Sequence, residues 1–152
     1  GRDNKRGVGV VVRDCQGKTK LAACKGFHAD WEVDTIEAYA VLYGLQVCKE
    51  AGLRRIELET DSKNIVEALN RRTQLQNTAS VFIQDVFGLN KLFDVLSFSH
   101  VRRNANRVAH MLARSALRFE GEKVWKTNLP PCITDVIDFE KPRFPMAGTG
   151  LC

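Results

Sequence analysis

The sequence predicts a single α/β domain. Three observations predict it. A β-branched run, Gly7 to Asp14, is followed by a turn and a second extended run. Helical periodicity holds from Asp34 to Ala51. An alternating strand, Arg54 to Thr60, ends at Asp61 and leads into a further helix. At 152 residues the chain has the length of one domain, and its apolar content of 44% can fill a core without covalent staples.

The elements follow in order. Asp14-Cys15-Gln16-Gly17 supplies turn chemistry between Gly7–Asp14 and Lys18–Phe27, so the two read as a hairpin. In the first helix Ile36, Ala40, Tyr43, Gly44, Val47 and Ala51 share a face. Asp34 with Glu37 three residues on resembles a capping box, and Gly52 is a natural stop. In Arg54–Thr60, Ile56 and Leu58 lie opposite Glu57 and Glu59. Ser62–Arg71 is a short helix presenting Ile65, Val66 and Leu69. A polar loop leads to a helix, Ala79–Leu92, with Val81, Ile83, Val86, Phe87 and Leu89 mostly inward. Val95–Val101 is a strand. Asn106–Phe119 is a helix burying Val108, Ala109, Leu112 and Ala116. Pro130, Pro131, Pro142 and Pro145 break regular structure past Gly121. Residues 1–120 therefore read as the domain, and residues 121–152 as a tail packing loosely through Trp125, Leu129 and Ile133.

Composition narrows the classes. No apolar run approaches the roughly 18 residues of a membrane span, and the N-terminal stretch lacks a signal peptide's apolar core. Five cysteines, an odd number with no CxxC pair, argue against zinc and a disulfide framework and for a reducing intracellular compartment, nuclear or cytoplasmic. A net charge of +5 makes nucleic acid a plausible partner, although a solvated basic face accounts for such a charge equally well.

Glu37 and Asp61 stand at the edges of regular elements, where two carboxylates could converge on a divalent metal. Each has a structural alternative. Glu37 could be the third residue of a capping box, and Asp61 the N-cap of its helix. His110 falls beside Arg107 and Arg114 and could be a half-exposed helix residue. His100 could contact a nucleic-acid backbone or be an ordinary structural histidine. Arg102, Arg103, Arg107, Arg114 and Arg118 could contact phosphates or form a solvated face. Trp31, Tyr39 and Tyr43 could stack on a nucleotide, but packing is their default.

Four stretches in order carry a family resemblance. They are Gly9-Val10-Val11-Val12-Arg13-Asp14; Glu37-Ala38-Tyr39-Ala40 with Gly44-Leu45; Glu59-Thr60-Asp61-Ser62; and His100-Val101-Arg102-Arg103 with Asn106-Arg107-Val108-Ala109-His110. Together they resemble the plant-type domain of the ribonuclease H superfamily. The resemblance implies a mixed β-sheet flanked by helices on both faces. It implies metal-dependent endonucleolytic hydrolysis of RNA in RNA:DNA hybrids, with two Mg²⁺ ions about 4 Å apart, and a retroelement-related nuclease. It places Glu37, Asp61 and His110 at catalytic and metal-ligand positions, and Ser62, Arg102, Arg103 and Arg107 as candidates to bind nucleic acid.

The sequence also departs from that family. The first aspartate, with the central strand that carries it, is expected upstream of Gly9, and Asp3 stands too close to Gly9 to be it. The sheet would then need an upstream segment, a partner chain, or the tail segment Ile133–Phe139 to complete it. A fragment of a longer protein accounts best for the gap. His110 stands where the family often has its last aspartate; imidazole can ligate a divalent ion but favours softer metals than Mg²⁺. Val33-Asp34-Thr35-Ile36 replaces paired asparagines expected before the helix glutamate. Two readings follow: a nuclease using Mg²⁺ or Mn²⁺, or a catalytically degenerate module that binds nucleic acid or protein. For the chain as given the departures weigh towards impaired catalysis.

Overall fold

The computed structural model describes residues 4–13, 18–71, 77–126 and 146–151. Lys5–Arg13 (β1) and Thr19–His28 (β2) form the expected antiparallel hairpin, with Lys5 opposite His28 and a register shift after Val12. Val33–Glu50 (α1) follows and ends at Gly52, whose φ of 77° is the left-handed conformation glycine adopts most readily. Then come Arg55–Thr60 (β3), Lys63–Arg71 (α2), Asn77–Leu89 (α3), Val95–His100 (β4), Arg107–Ser115 (α4), Gly121–Trp125 (β5) and Met146–Leu151 (β6). Short 3₁₀ turns occupy Asn90–Leu92, Arg103–Asn106 and Ala116–Arg118.

The described strands form one mixed sheet in the order β4-β3-β6-β1-β2-β5. β3 pairs in parallel with β4 and β6; the other pairings are antiparallel. Period-two alternation divides β1 between two cores. Val8, Val10 and Val12 point to the α1 face, where Ile36, Val41 and Leu45 meet Ile83 and Val86 of α3. Val11 points to the other face, against Val108, Leu112 and Ala116. Each fully buried aliphatic side chain contributes about 1.5–3 kcal/mol by leaving water.

Glycine spacing sets how closely α4 approaches. A Cβ on Gly9 would stand 2.3 Å from the carbonyl oxygen of Ala109, and one on Gly7 2.1 Å from that of Ala113. The helix backbone therefore rests directly on β1, and this contact fixes the position of His110, the residue after Ala109.

The structure corrects several expectations. The gap beside β1 is filled by the chain's own β6, which lies antiparallel to β1 and parallel to β3. The filling segment is thus Met146–Leu151; Ile133–Phe139 lies outside the described residues. Residues past Gly121 contribute two strands of the sheet where a loosely packed tail is expected, because β1, β2 and β3 all offer open backbone edges that these segments satisfy. α1 starts at Val33 with Glu32 as N-cap and no side-chain cap, so Asp34 lies inside the first turn and makes no capping box. The helix is buried well beyond one face, since α3 covers what the sheet does not. Val81 is 55% exposed because it lies on the outer side of α3.

Candidate active site

β3 delivers Asp61 at its C-terminal end, in the bend after Thr60. The local turn then relieves Asp61 of capping duty. The Ser62 amide donates to Thr60 Oγ1 at 3.2 Å, and Ser62 Oγ accepts from the Ile65 amide at 3.3 Å. Ser62, not Asp61, caps α2.

Asp61 instead faces α4. His110 Nε2 lies 2.7 Å from Asp61 Oδ2. An ionised carboxylate only accepts, so Nε2 carries the hydrogen. The two side chains are 11% and 15% exposed, so the bond is largely shielded from water. His110 is therefore buried, which sets aside the half-exposed alternative, because the close seating of α4 on Gly7 and Gly9 turns it towards β3.

Glu37 reaches the same place from α1. The Ser62 hydroxyl donates to its carboxylate, and Asp61 and His110 both act on its charge. Burial raises the Glu37 carboxyl above its ordinary 4.5; the negative charges of Asp34 and Asp61 add to that, while Ser62 and His110 oppose it. Asp61 shifts the other way. The hydrogen bond from His110 holds it below 3.8, with help from the charges of His110 and Arg103, against the effect of burial. The structure thus brings together Glu37, Asp61 and His110, which stand far apart in sequence.

As a donor set, two carboxylates close enough for the charge of Asp61 to act on Glu37 suit a hard divalent cation that keeps most of its waters. Among the described residues no group of three His, Cys, Asp or Glu side chains is arranged to hold a metal. The His110 Nε2 is already turned onto Asp61, which leaves Glu37 and Asp61 as the two carboxylates of the site. β6 runs beside β3 with Gly148 opposite Glu59 and Thr149 opposite Thr60, and Met146–Leu151 contains no carboxylate.

The other candidates divide. Ser62 is 6% exposed and uses its hydroxyl on Glu37 and α2, so it supports the site from within. Arg103 and Arg107 are exposed and line a cavity of about 450 Å³ with Asn104, His110, Met111 and Arg114. Arg102 is exposed but outside that lining. His100 is exposed at the end of β4, opposite Thr60. Trp31, Tyr39 and Tyr43 pack among aromatic neighbours: Trp31 lies 5.1 Å from Phe82 and Tyr39 5.1 Å from Phe27 between ring centroids. Tyr43 donates its hydroxyl to Glu122 at 2.9 Å. The part missed in sequence is the serine link between Glu37 and α2; its signal was the Thr60-x-Ser62 spacing, which could be read as a cap for either Asp61 or Ser62.

Residues 1–116 match the family described as reverse transcriptase-like. The "Putative ribonuclease H protein At1g65750" of Arabidopsis thaliana is 33% identical over 112 residues, covering 72% of this chain. The chain spans 17% of the length of that relative. Ribonuclease H1 from the halophilic archaeon Halobacterium salinarum superimposes with a TM-score of 0.70 at 24% identity, over 78% of this chain and 91% of the other. The N-terminal ribonuclease H domain of a Mycobacterium tuberculosis protein, solved as a fusion with maltose-binding protein, gives 0.54 at 17% identity, over 77% and 95%. These two similarities bear on the fold alone. The order of strands, the flanking helices and the match over residues 1–116 agree: the chain belongs to the reverse transcriptase-like family and folds as a ribonuclease H-like domain.

Proposed function

We propose that this domain hydrolyses the RNA strand of RNA:DNA hybrids, with a divalent cation, Mg²⁺ or Mn²⁺, held by Glu37 and Asp61. The observation that carries this reading is the convergence of those carboxylates with His110 at one end of the sheet. When bound, the cation would supply a polarised water and neutralise charge at the phosphate. The chain's own residues prepare that site. Ser62 fixes Glu37 by a hydrogen bond. His110 fixes Asp61 and keeps it ionised. Burial and the Asp61 charge raise the affinity of Glu37 for positive charge, so a divalent cation would compete there with a proton. His110 acts here as a positioning residue rather than a ligand.

A second reading is a module that binds nucleic acid without cutting it. It keeps the same fold and basic groove, and Met146–Leu151, paired with β3, holds no Asp or Glu. A reducing intracellular setting fits Cys24 and Cys48, which are buried and not joined in a disulfide. Among the described residues no helix is long and apolar enough to cross a membrane.

Cleavage of a labelled RNA:DNA hybrid, in Mg²⁺ and then Mn²⁺, separates the readings. Cleavage that Asp61→Asn abolishes supports hydrolysis. Hybrid binding with no cleavage in either metal supports the second reading.

A further inference from the structure

Arg103, Arg107 and Arg114 lie along one stripe of the 3₁₀ turn and α4, with His110 and Met111 between the last two. Positions four and seven apart share a helix face, and seven helical residues rise about 10 Å. The three arginines and Asn104 rim the cavity of about 450 Å³, and half-buried Met111 also lines it. All three arginines are exposed, and none is ion-paired with a described residue. The groove and the carboxylate centre share a wall: His110 lines the former and is bonded to Asp61 in the latter. The Arg103 charge is felt at Asp61 itself.

A centre built from Glu37 and Asp61 repels a phosphate backbone. Cations beside it offset that repulsion, in addition to any divalent cation the two carboxylates hold. We propose that this arginine groove is a phosphate rail: it seats successive backbone phosphates of one nucleic-acid strand and delivers the neighbouring phosphodiester to Glu37 and Asp61. This rests on the hydrolytic reading above and extends it to how the strand is held. Guanidinium forks match phosphate oxygens and read no bases. A stripe that runs about 10 Å from Arg107 to Arg114 and continues to Arg103 in the preceding turn suits a run of backbone better than a single mononucleotide.

The test is fluorescence anisotropy of two hybrids of unrelated sequence, in EDTA, across a salt series. The proteins are wild type, Arg107→Gln, Arg114→Gln, the double variant, Arg107→Lys and, as a distal control, Lys91→Gln. Circular dichroism checks that each is folded. Each lost arginine is expected to flatten the slope of log K against log salt by about 1 and to weaken both hybrids alike, roughly 3- to 10-fold near 0.1 M salt. Arg107→Lys keeps the slope, and Lys91→Gln changes nothing. An unchanged slope in the double variant, a loss confined to one sequence, or no binding by the wild type would overturn the rail. Cleavage by the wild type reports separately on the hydrolytic reading. Cleavage with an unchanged slope removes the rail alone, and a flattened slope without cleavage removes hydrolysis alone.

Discussion

His110 Nε2 lies 2.7 Å from Asp61 Oδ2, tying α4 to the end of β3 across 49 residues of sequence. The bond sets the ionisation of Asp61, whose carboxyl it holds below 3.8. A carboxylate with a lowered folded pKa stabilises the fold above its unfolded value, and that contribution is lost as pH falls through the folded value. His110→Ala should therefore cost about 1.5–3 kcal/mol at neutral pH, the range for a hydrogen bond to a charged group. The cost should shrink on acidification below 3.8. Urea unfolding of both proteins across that pH range measures it; a pH-independent difference would show that the bond does not govern Asp61.

Glu37 shifts in the opposite direction. Its folded pKa is raised above 4.5, chiefly by burial. Its favourable contribution is complete below the unfolded value and is lost as pH rises through the folded one. Glu37→Gln should then melt higher than the wild type at neutral pH, with the gap closing in acid. The same variant should lose cleavage if Glu37 seats the cation. Melting curves at several pH values, paired with the hybrid assay, test both halves; a variant less stable at neutral pH contradicts the burial argument.

Gly9 fixes how close α4 can come to β1. Gly9→Ala puts a Cβ 2.3 Å from a backbone oxygen of α4, which cannot rotate away as a side chain can. The helix must shift, at a cost of about 3 kcal/mol, the upper end of ordinary overpacking. The shift also moves His110 relative to Asp61. Denaturant midpoints should fall, and the acid-dependent stability attributed to the His110 bond should weaken with them. A variant as stable as the wild type would mean that α4 sits farther out.

β6 makes a further prediction. Gly148 pairs with Val11 on one side and Glu59 on the other. Gly148→Pro removes a backbone donor from the middle of the sheet and should cost about 3 kcal/mol or more. Hydrogen exchange should then speed up at the β1 and β3 amides. Unchanged exchange would mean that Met146–Leu151 does not hold that place.

Much of the frame was legible from local pattern. The β-branched alternation of Val8, Val10 and Val12 reads directly as a strand face, and its antiparallel partner Thr19–His28 was legible with it; the expected turn, Asp14–Gly17, lies outside the described residues. The α1 periodicity and Gly52 place that helix to within a residue or two. Other features were hidden because their signals are not local. Met146–Leu151, with two glycines and no alternating apolar pattern, has little intrinsic strand character; it is a strand because β1 and β3 each leave a backbone edge to be paired. Val81 has the chemistry of a core residue, yet it points outward because α1 covers only one side of α3.

For the site, sequence alone determined the family, through four motifs in order, and thereby named Glu37, Asp61 and His110. Tertiary structure decided what those residues do to one another. Whether Asp61 caps its own helix or faces another depends on Ser62 taking the cap. Whether His110 is solvated or bonded depends on how deeply Gly7 and Gly9 let α4 settle. The reason is physical: propensity and periodicity are properties of neighbours in the chain, whereas burial, hydrogen bonding and charge are set by distances that exist only after the chain has packed.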